Sequence, residues 1–361
     1  MRTAIVLFNL GGPDRPDAVE PFLRNLFSDP AILRVPNFLR PFLAWLIARR
    51  RAPTAQKIYE ALGGGSPILA NTNAQANALE TALEAAFDAN AGESGETSRC
   101  FVAMRYWHPF SDETAREVAA WKPDRIVLLP LYPQFSTTTT ASSLADWRRA
   151  AAASGLAAPT HTVCCYPGEP GFIDAIVDLA KEPLARARAK GRLRLLFSAH
   201  GLPLKIVKAG DPYPDHVGET ARAIAARLGV DVGVGDDRDE ESYEICFQSR
   251  VGPVEWLGPY TDETIVREAG AAHAIVLVPL AFVSEHSETL VELDVEYRHL
   301  AETHGAAAYE RVATVGAHPA FIGGLANLIR RALKAGAGSV TNDIGARRCK
   351  AGCACAMEVS Q

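Results

Sequence analysis

The sequence AIVLVPL (residues 274–280), followed directly by AFVSEHSETLVELDVEY (residues 281–297), decides the fold. Its first seven residues form a short, continuous apolar run, which is typical of a strand buried on both faces of a parallel sheet. The polar residues that follow begin at the carboxyl end of this strand, the edge where open α/β sheets keep their binding sites. The stretch therefore predicts a strand and a helix of an α/β fold, with a functional site where they meet.

If the residues from Ser284 onward are helical, an acidic stripe runs along one face, because residues three and four apart are neighbours on a helix. The members of this stripe are Glu285, Glu288, Glu292 and Glu296, with His286 near its start. The residues expected on the opposite, core-facing side are Leu290, Leu293 and Tyr297. A solvated acidic face explains the same pattern, but the position at the sheet edge favours a path for a cation.

The two halves of the chain repeat the same pattern. The first half has four apolar segments, which begin at Ile5, Phe101, Ile126 and Thr160, and the second half answers in order at Leu195, Glu244, Ile275 and Tyr309. Ala-rich helical stretches separate them. This alternation predicts an α/β fold of two similar Rossmann-like lobes, each a four-stranded parallel sheet flanked by helices, with the active cleft between the lobes. We expect the first lobe over residues 1–180, the second over 190–333 and a Gly/Ala-rich tail over 334–361.

Length and composition narrow the class of protein. The 361 residues suffice for two domains, and the 48% of hydrophobic residues supply ample core material. The net charge of −5 gives no global field for nucleic acid, so no nucleic-acid partner is expected. The N-terminal sequence lacks a signal-peptide pattern, and no apolar run reaches the roughly 18 residues of a membrane span. We therefore expect a cytoplasmic protein whose seven cysteines are thiols or metal ligands.

One segment, residues 31–51, breaks the repeat. Its sequence, AILRVPNFLRPFLAWLIARRR, combines an apolar face with three arginines at the end. Such a segment is compatible with a helix packed on the sheet, with an apolar lip over the cleft, or with contact to a membrane surface. We call residues 31–51 the lip.

His200 is the best candidate for a general base. It ends a predicted strand and is followed by Gly201, which permits a sharp turn. Histidine in general titrates near about pH 6.5, so it can accept a proton at neutral pH. His108 and His318 also follow predicted strands, but each adjoins a proline and neither has an acidic stripe nearby.

Other residues at predicted strand ends indicate a pocket for a broad, flat, mostly apolar ligand with acidic substituents. Gly63–Pro67 lacks the Lys-Ser/Thr of a P-loop and the spacing of a dinucleotide fingerprint. Its backbone amides and Ser66 are instead expected to hold a carboxylate. The further candidates for this pocket are Arg51, Tyr59, Arg105, Tyr132 and Trp256.

The tail carries three cysteines in seven residues, Cys349, Cys353 and Cys355. Their spacing is not that of a zinc finger, which uses two-residue spacers. An iron–sulfur cluster needs four thiolates, and Cys164 or Cys165 is the candidate for the fourth. Exposed, reduced thiols on the tail are the alternative.

Taken in order, several motifs closely resemble those of ferrochelatases, the enzymes that insert ferrous iron into a porphyrin at the end of heme synthesis. These motifs are Asn9–Pro13, Gly63–Pro67, Arg105–Tyr106, Tyr132–Gln134, Phe197–Pro203, Gly210–Pro214, Trp256–Pro259 and His286–Leu290. The resemblance covers nearly the whole chain. It implies an enzyme, monomeric or homodimeric, that inserts Fe²⁺ as substrate into protoporphyrin IX and releases two protons. Insertion into coproporphyrin III, insertion of another divalent metal, and non-catalytic binding of porphyrin or heme are the alternatives.

The resemblance also implies roles for single residues. His200 corresponds to the active-site histidine and Glu288 to an essential glutamate, which we expect on opposite faces of the porphyrin ring. The metal-side residues are His200, Glu288, His286, Glu292 and Glu296. The residues implied for the porphyrin are Leu10, Arg51, Tyr59, Ser66, Arg105 and Ser249, to which the pocket argument adds Tyr132 and Trp256. The lip corresponds to a segment that associates with membranes in some members. Certain members bind a [2Fe-2S] cluster through C-terminal cysteines, here Cys349, Cys353 and Cys355 with Cys165.

Overall fold

A computed structural model of the chain describes residues 1–89, 96–232, 241–250, 252 and 254–343. The chain divides into two compact units, the first made of residues Met1–Tyr166 together with the chain from Ile322 onward, and the second made of Pro167–Phe321. Each unit contains one five-stranded sheet. All strand pairs are parallel.

The strands are β1 (Arg2–Asn9), β2 (Thr97–Met104), β3 (Arg125–Pro130), β4 (Thr160–Cys165), β5 (Leu193–His200), β6 (Asp231–Val232), β7 (Ser242–Gln248), β8 (Ala274–Pro279), β9 (Ala308–Arg311) and β10 (Val340–Asn342). The helices are α1 (Val19–Ser28), α2 (Arg40–Ala61), α3 (Ile68–Ala89), α4 (Ser111–Trp121), α5 (Thr140–Ala153), α6 (Pro170–Arg188), α7 (Leu204–Lys208), α8 (Tyr213–Leu228), α9 (Thr261–Gly270), α10 (Tyr297–Thr303) and α11 (Pro319–Lys334). A short 3₁₀-helix spans Pro16–Ala18, and a π-helix spans Glu288–Glu296.

The sheet of the first unit has the strand order β10-β4-β3-β1-β2. Strand β1 lies between β2 and β3, and every residue after Arg2 is buried in it, as expected for a central parallel strand covered on both faces. In the register, Asn9 pairs with Met104 and Phe8 pairs with Pro130. The carboxyl ends of β1, β2 and β3 therefore meet at one edge of the sheet.

The sheet of the second unit has the strand order β6-β7-β5-β8-β9. Its central strand is β5, where His200 pairs with Gln248 of β7. All six residues of β8, on the other side of β5, are buried. The carboxyl ends of β5, β7 and β8 thus form the edge at which His200 lies.

The predicted fold class is confirmed, and all eight predicted strands are present. The four predicted strands of each half have the same spatial order, because β4-β3-β1-β2 in the first unit corresponds to β9-β8-β5-β7 in the second. The predicted number of four strands per sheet is wrong. The additional strands, β6 and β10, contain two and three residues at sheet edges, and segments this short do not form a recognisable apolar run.

The boundaries of the units differ from those expected at residues 180–190 and 333–334. Helix α6, assigned by the sequence mainly to the first lobe, belongs to the second unit, where it packs against β8 and β9. Most of α11 belongs to the first unit, where the Ala332 carbonyl lies 3.0 Å from Nδ1 of His161. Strand β10, placed in the tail by the sequence, pairs with β4. A repeat in sequence therefore does not reveal which unit a terminal helix joins.

Candidate functional site

The carboxyl edge of the second sheet gathers the predicted reactive groups of that unit. His200 is the last residue of β5, and Ser249 follows the last residue of β7. The segment after β8 leads through Phe282 and His286 into the π-helix, which begins at Glu288. Three neighbouring strands thus bring these five side chains to one place.

The hydrogen bond of His200 defines its tautomer. Its Nδ1 lies 2.6 Å from the carbonyl oxygen of Gly201. A carbonyl oxygen only accepts, so Nδ1 carries the proton, and in the neutral ring Nε2 carries the lone pair. Nε2 lies 3.7 Å from Oε2 of Glu288, and 40% of the His200 side chain is exposed. The nitrogen that can accept a proton therefore lies near the carboxylate, on a side chain that is partly exposed.

The glycine after His200 is required for space. A Cβ atom at Gly201 would lie 2.8 Å from the Gln248 carbonyl oxygen and 3.2 Å from the Trp256 ring. The Gly201 amide also donates to the Gln248 carbonyl at 2.8 Å. The sequence predicted a turn that exploits the flexibility of glycine, whereas the structure shows a close approach of the β7 backbone. The Trp256 ring, a predicted porphyrin contact, lies against this turn.

Glu288 and Glu292 lie side by side in the π-helix. The Tyr297 amide donates to the Glu292 carbonyl, five residues back, which defines the π register. The Glu292 carboxylate accepts the Ser249 amide at 3.1 Å and the Tyr297 hydroxyl at 2.9 Å. Burial raises the pKa of Glu292, and the charge of Glu288 raises it further. Single π-turns are frequent at functional sites.

Ser249 joins the two carboxylates. Its Oγ lies 2.5 Å from Oε2 of Glu292 and 3.2 Å from Oε2 of Glu288. A hydroxyl has one proton, so it donates to only one of these carboxylates at a time. Its backbone has a φ of +64°, the left-handed region that non-glycine residues rarely adopt. The resemblance implied a porphyrin contact for Ser249, and the described contacts of its side chain are with the acidic residues and Gln248.

The acidic stripe is shorter than the sequence predicted. Glu285 precedes the helix, and its carboxylate accepts Nη1 of Arg311 at 2.9 Å and the Thr314 amide at 3.0 Å. Glu296 is exposed on the last π-helical position. The prediction that Tyr297 faces away from the stripe is wrong for its hydroxyl, which bonds Glu292. The predicted period assumed a regular α-helix from Ser284, and the π register changed which side chains share a face.

His286 lies behind the site, next to an aromatic residue that the sequence argument left without a role. Its ring is buried and lies 4.5 Å from the Phe282 ring, which in turn lies 6.4 Å from the His200 ring. Its Nδ1 donates to the Ser284 carbonyl at 3.1 Å. Burial lowers the pKa of His286 below the usual value for histidine, which favours the neutral ring.

The separation of His200 and Glu288 bears on the expectation that they lie on opposite faces of a porphyrin. Atoms in contact across a stacked ring lie about 3.5–4 Å apart, so groups on opposite faces of a planar ring need a separation of about 7 Å. The observed separation of Nε2 and Oε2 is 3.7 Å. The observed separation is therefore shorter than the expected arrangement on opposite faces requires.

The predicted metal-side residues are not equivalent in the structure. Within the described ranges, no three His, Cys, Asp or Glu side chains come together as a group that could hold a metal ion. His200 and Glu288 are adjacent, whereas Glu292 is held by Ser249 and Tyr297.

In the first unit, Leu10 and Arg105 meet at the carboxyl edge of the sheet. The Arg105 amide donates to the Asn9 carbonyl at 2.9 Å, and the next amide donates to the Leu10 carbonyl at 3.0 Å. The Arg105 guanidinium pairs with Asp29 at 2.8 Å and donates to Ser142 at 2.8 Å. The sequence argument missed Asp29, which is 4% exposed and forms the ion pair with Arg105. Tyr132, at the end of β3, is buried, with its hydroxyl 3.5 Å from Ser143.

The Gly63–Pro67 loop is not the open cradle of amides that the sequence predicted. The amides of Gly63 and Gly64 donate to the Glu60 and Tyr59 carbonyls, which ends helix α2. The Ser66 amide donates to the Pro13 carbonyl at 2.7 Å. Because these three amides already donate to backbone carbonyls, they are not available as donors to a carboxylate. Tyr59 is buried near the end of α2, and Arg51 is exposed on the same helix, with its guanidinium 5.8 Å from the Phe27 ring.

Of the four predicted cluster ligands, Cys349, Cys353 and Cys355 lie outside the described residues. Cys165 is fully buried in β4, with its sulfur 3.3 Å from that of Cys164. This distance is longer than the roughly 2.05 Å of a disulfide, so the two side chains are thiols in contact.

Known proteins resemble the chain over most of its length. Residues 2–333 match the family model described as Ferrochelatase. A Ferrochelatase from Caulobacter vibrioides (strain NA1000 / CB15N) is 50% identical over 346 residues, which cover 96% of this chain and 94% of the relative. A Ferrochelatase from Hyphomonas neptunium is 48% identical over 334 residues, covering 92% and 88%. The solved structure "SirB from Bacillus subtilis with Fe3+" is 15% identical, with a TM-score of 0.47, and covers 92% of this chain and 96% of that chain.

Proposed function

Since the chain belongs to the ferrochelatase family, whose members are lyases that insert Fe²⁺ into protoporphyrin to make heme, we propose that the insertion takes place beside His200 and Glu288. The observation that carries this assignment is the 3.7 Å separation of Nε2 and Oε2, together with the tautomer that leaves the lone pair on Nε2. A proton acceptor and a carboxylate are thereby presented together.

The chemistry needs both groups. A free-base porphyrin loses two N–H protons as Fe²⁺ enters. Nε2 of His200 accepts a proton from a pyrrole nitrogen. Nδ1 keeps its own proton, which it donates in the hydrogen bond to the Gly201 carbonyl. The Glu288 carboxylate stabilises the imidazolium that forms, because an opposite charge nearby favours the charged form of a histidine.

Glu288 and Glu292 also serve the metal substrate. Carboxylate oxygens replace water around Fe²⁺ and receive protons as they leave the porphyrin. Ser249 and Tyr297 fix the Glu292 carboxylate, and a weak site is sufficient, since the iron must pass on to the ring. For the porphyrin itself we propose contacts by Leu10, Arg51, Tyr59, Ser66, Arg105, Tyr132, Ser249 and Trp256.

A turnover assay under anaerobic conditions tests this function. Fe²⁺ and protoporphyrin IX are supplied to the purified protein, and the absorption of heme is followed. We expect multiple turnovers with protoporphyrin IX that exceed those with coproporphyrin III. Higher turnover with coproporphyrin III would favour the alternative substrate, and stoichiometric binding of either porphyrin without metallation would favour a carrier.

We propose that the lip touches the inner face of the membrane in a protein otherwise located in the cytoplasm. Phe38 and Phe42 are 80% and 59% exposed, and the arginines that end the lip follow on α2. Among the described helices, none is long and apolar enough to cross a membrane. Sedimentation with anionic phospholipid vesicles tests the contact, with Phe38→Asp expected to reduce binding and Val254→Asp, at an exposed apolar residue of the second unit, expected to leave it unchanged.

A [2Fe-2S] cluster remains a prediction for Cys349, Cys353, Cys355 and Cys165. Cys165 is fully buried beside Cys164, and it pairs in register with Asn342 of β10, the last described strand before the tail cysteines. The visible spectrum of protein purified without oxygen tests the prediction, and a colourless sample would count against the cluster.

A further inference from the structure

Strand β9 packs against the π-helix that carries the acidic residues. In a π-helix each amide donates to the carbonyl five residues back, a rare register that occurs mainly as single turns. Here the bond from the Tyr297 amide to the Glu292 carbonyl defines it. Uncommon backbone conformations persist where the surrounding structure favours them. The contacts made by β9 show what favours this one.

Tyr309 supplies the first contact. Its hydroxyl donates to the Leu293 carbonyl at 2.6 Å, and the side chain is buried. In an α-helix the Leu293 carbonyl would accept the Tyr297 amide, four residues along the chain. Because that amide bonds Glu292 instead, the Tyr309 hydroxyl takes the place of the missing α-helical donor. The π register removes the α-helical bond to the Leu293 carbonyl, and the Tyr309 hydroxyl supplies a hydrogen bond in its place.

Arg311 supplies the second contact. Its Nη1 lies 2.9 Å from Oε1 of Glu285, and its Nη2 lies 3.0 Å from Oδ2 of Asp294. The Arg311 side chain is only 9% exposed. One planar fork therefore binds two carboxylates, one before the helix and one within it, and these bracket Glu288 and Glu292 in sequence.

We propose that Tyr309 and Arg311 are positioning residues, which hold Glu288–Glu296 in the π register and thereby place Glu288 and Glu292 together on Ser249. This inference rests on the proposed function, in which Glu288 serves the metal and the proton. Neither Tyr309 nor Arg311 belongs to a motif that the sequence argument used for the site.

The variant Tyr309→Phe tests the first contact with the smallest change, the loss of one hydroxyl. We expect amide hydrogen exchange to rise in peptides that cover residues 288–297. We expect kcat to fall between about 10- and 100-fold, because small misplacements of reacting groups have effects of this size, while KM for protoporphyrin stays unchanged. The matched control is Glu310→Gln on the same strand, which removes an ion pair with the half-exposed Arg186 and is expected to alter neither quantity.

The variants Arg311→Lys and Arg311→Met test the second contact. Lysine keeps the positive charge but lacks the planar fork, so it cannot bind Glu285 and Asp294 in the same way. If Arg311 positions the helix, Arg311→Lys keeps a thermal midpoint nearer to that of the parent than Arg311→Met does, yet loses kcat as Tyr309→Phe does. Restoration of full kcat by lysine would show that only the charge matters and would overturn the positioning role.

The remaining outcomes are decisive as well. If amide hydrogen exchange across residues 288–297 is the same in Tyr309→Phe as in Glu310→Gln, the Tyr309 hydroxyl does not hold the π register. The inference is then wrong. If exchange rises but kcat is unchanged, the register does not position the carboxylates, and the inference is also wrong. Glu288→Gln separates this failure from failure of the proposed function: full activity in that variant removes Glu288 from the reaction without altering the exchange result for Tyr309→Phe.

Discussion

Nε2 of His200 lies 3.7 Å from Oε2 of Glu288, and the opposite ring nitrogen of His200 donates its proton to the Gly201 carbonyl. The arrangement gives the ring one nitrogen that can only donate and one that can accept. A proton taken up at Nε2 arrives beside a carboxylate. In the proposed function, histidine and glutamate act together, and we expect removal of either to have a distinct effect.

His200→Ala is expected to abolish iron insertion and to leave porphyrin binding largely intact. The variant removes the proton acceptor, and positioned general bases contribute roughly 10²–10⁴-fold to rates. Anaerobic turnover measures the loss, and quenching of porphyrin fluorescence measures the binding. The control is His304→Ala, because His304 also bonds a backbone carbonyl through Nδ1 but lies exposed at the end of α10. Parental turnover in His200→Ala would remove His200 from the mechanism.

We expect substitutions of the π-helix carboxylates to lower kcat by different amounts. We expect Glu288→Gln to lower kcat most, because Glu288 is next to His200, and Glu292→Gln to lower it less. Glu296→Gln is the internal control, since Glu296 is exposed on the same helix. Each substitution keeps the side-chain shape and removes one charge. Steady-state kinetics with Fe²⁺ as the varied substrate measure the series, and equal effects at all three positions would mean that only net charge on the helix matters.

The strands of this fold can be predicted from the sequence because their signal is local. Runs such as that of β8 are apolar at every position, and their order in both halves follows from the repeat. The edge strands β6 and β10 could not be predicted in this way, because two or three residues carry no periodicity. The unit to which α6 or α11 belongs was not predictable either, because it depends on packing partners far away in sequence.

The site could be predicted in part for the same reason. His200 ends a strand, and Glu288 begins the helix that follows β8, so their positions at the sheet edge make them candidates. The register of the helix was not predictable, since the bonds that accompany it come from Tyr309 and Arg311, distant along the chain. Glu285 illustrates the consequence: its spacing fits the acidic stripe, but its partner is Arg311.

Asp29→Asn is expected to destabilise the first unit by about 3–5 kcal/mol, the usual effect of breaking a buried ion pair. Asp29 is buried and receives bonds from Arg105, Ser142 and the Tyr106 hydroxyl. Asparagine would present an NH₂ group to some of these donors. Urea denaturation measures the loss, with Asp112→Asn as the control at an exposed pair with Arg149, expected to cost about 0–1 kcal/mol. Similar losses in both variants would contradict a special role for the buried carboxylate.

Ser249→Gly and Ser249→Ala separate the backbone of this residue from its hydroxyl. Both remove the hydroxyl contacts with Glu288 and Glu292 and keep the amide bond to Glu292, so both should lower kcat. Only glycine relieves the φ of +64°, and we expect it to be more stable than the alanine variant by about 1 kcal/mol. Urea denaturation gives the difference in stability, and turnover gives the effect of the hydroxyl. Full activity in both variants would show that the hydroxyl is dispensable.

The ionisation of Glu285 should make the free energy of unfolding depend on pH in the acid range. Burial, the largest single influence, raises its pKa, but the charge of Arg311 and the hydrogen bonds to the carboxylate outweigh it, so the pKa lies below the ordinary 4.5. Near pH 4.5 the unfolded chain therefore binds more protons at this group than the folded protein does, and the free energy of unfolding rises with pH. The stabilisation is present above about pH 4.5 and is lost as the pH falls through the lower, folded-state value.

Glu285→Gln removes this titration. We expect the variant to be less stable than the parent at pH 7 by about 1.5–3 kcal/mol, the usual contribution of a hydrogen bond to a charged group. The difference should shrink as the pH falls from 4.5 toward the lower folded-state pKa, below which the parent protonates Glu285 and loses the same interaction. Urea midpoints at several pH values measure it, with Glu310→Gln as the control for an ion pair on the same strand as Arg311. A difference that stays constant down to the acid transition would show that the ion pair with Arg311 contributes no pH-dependent stability.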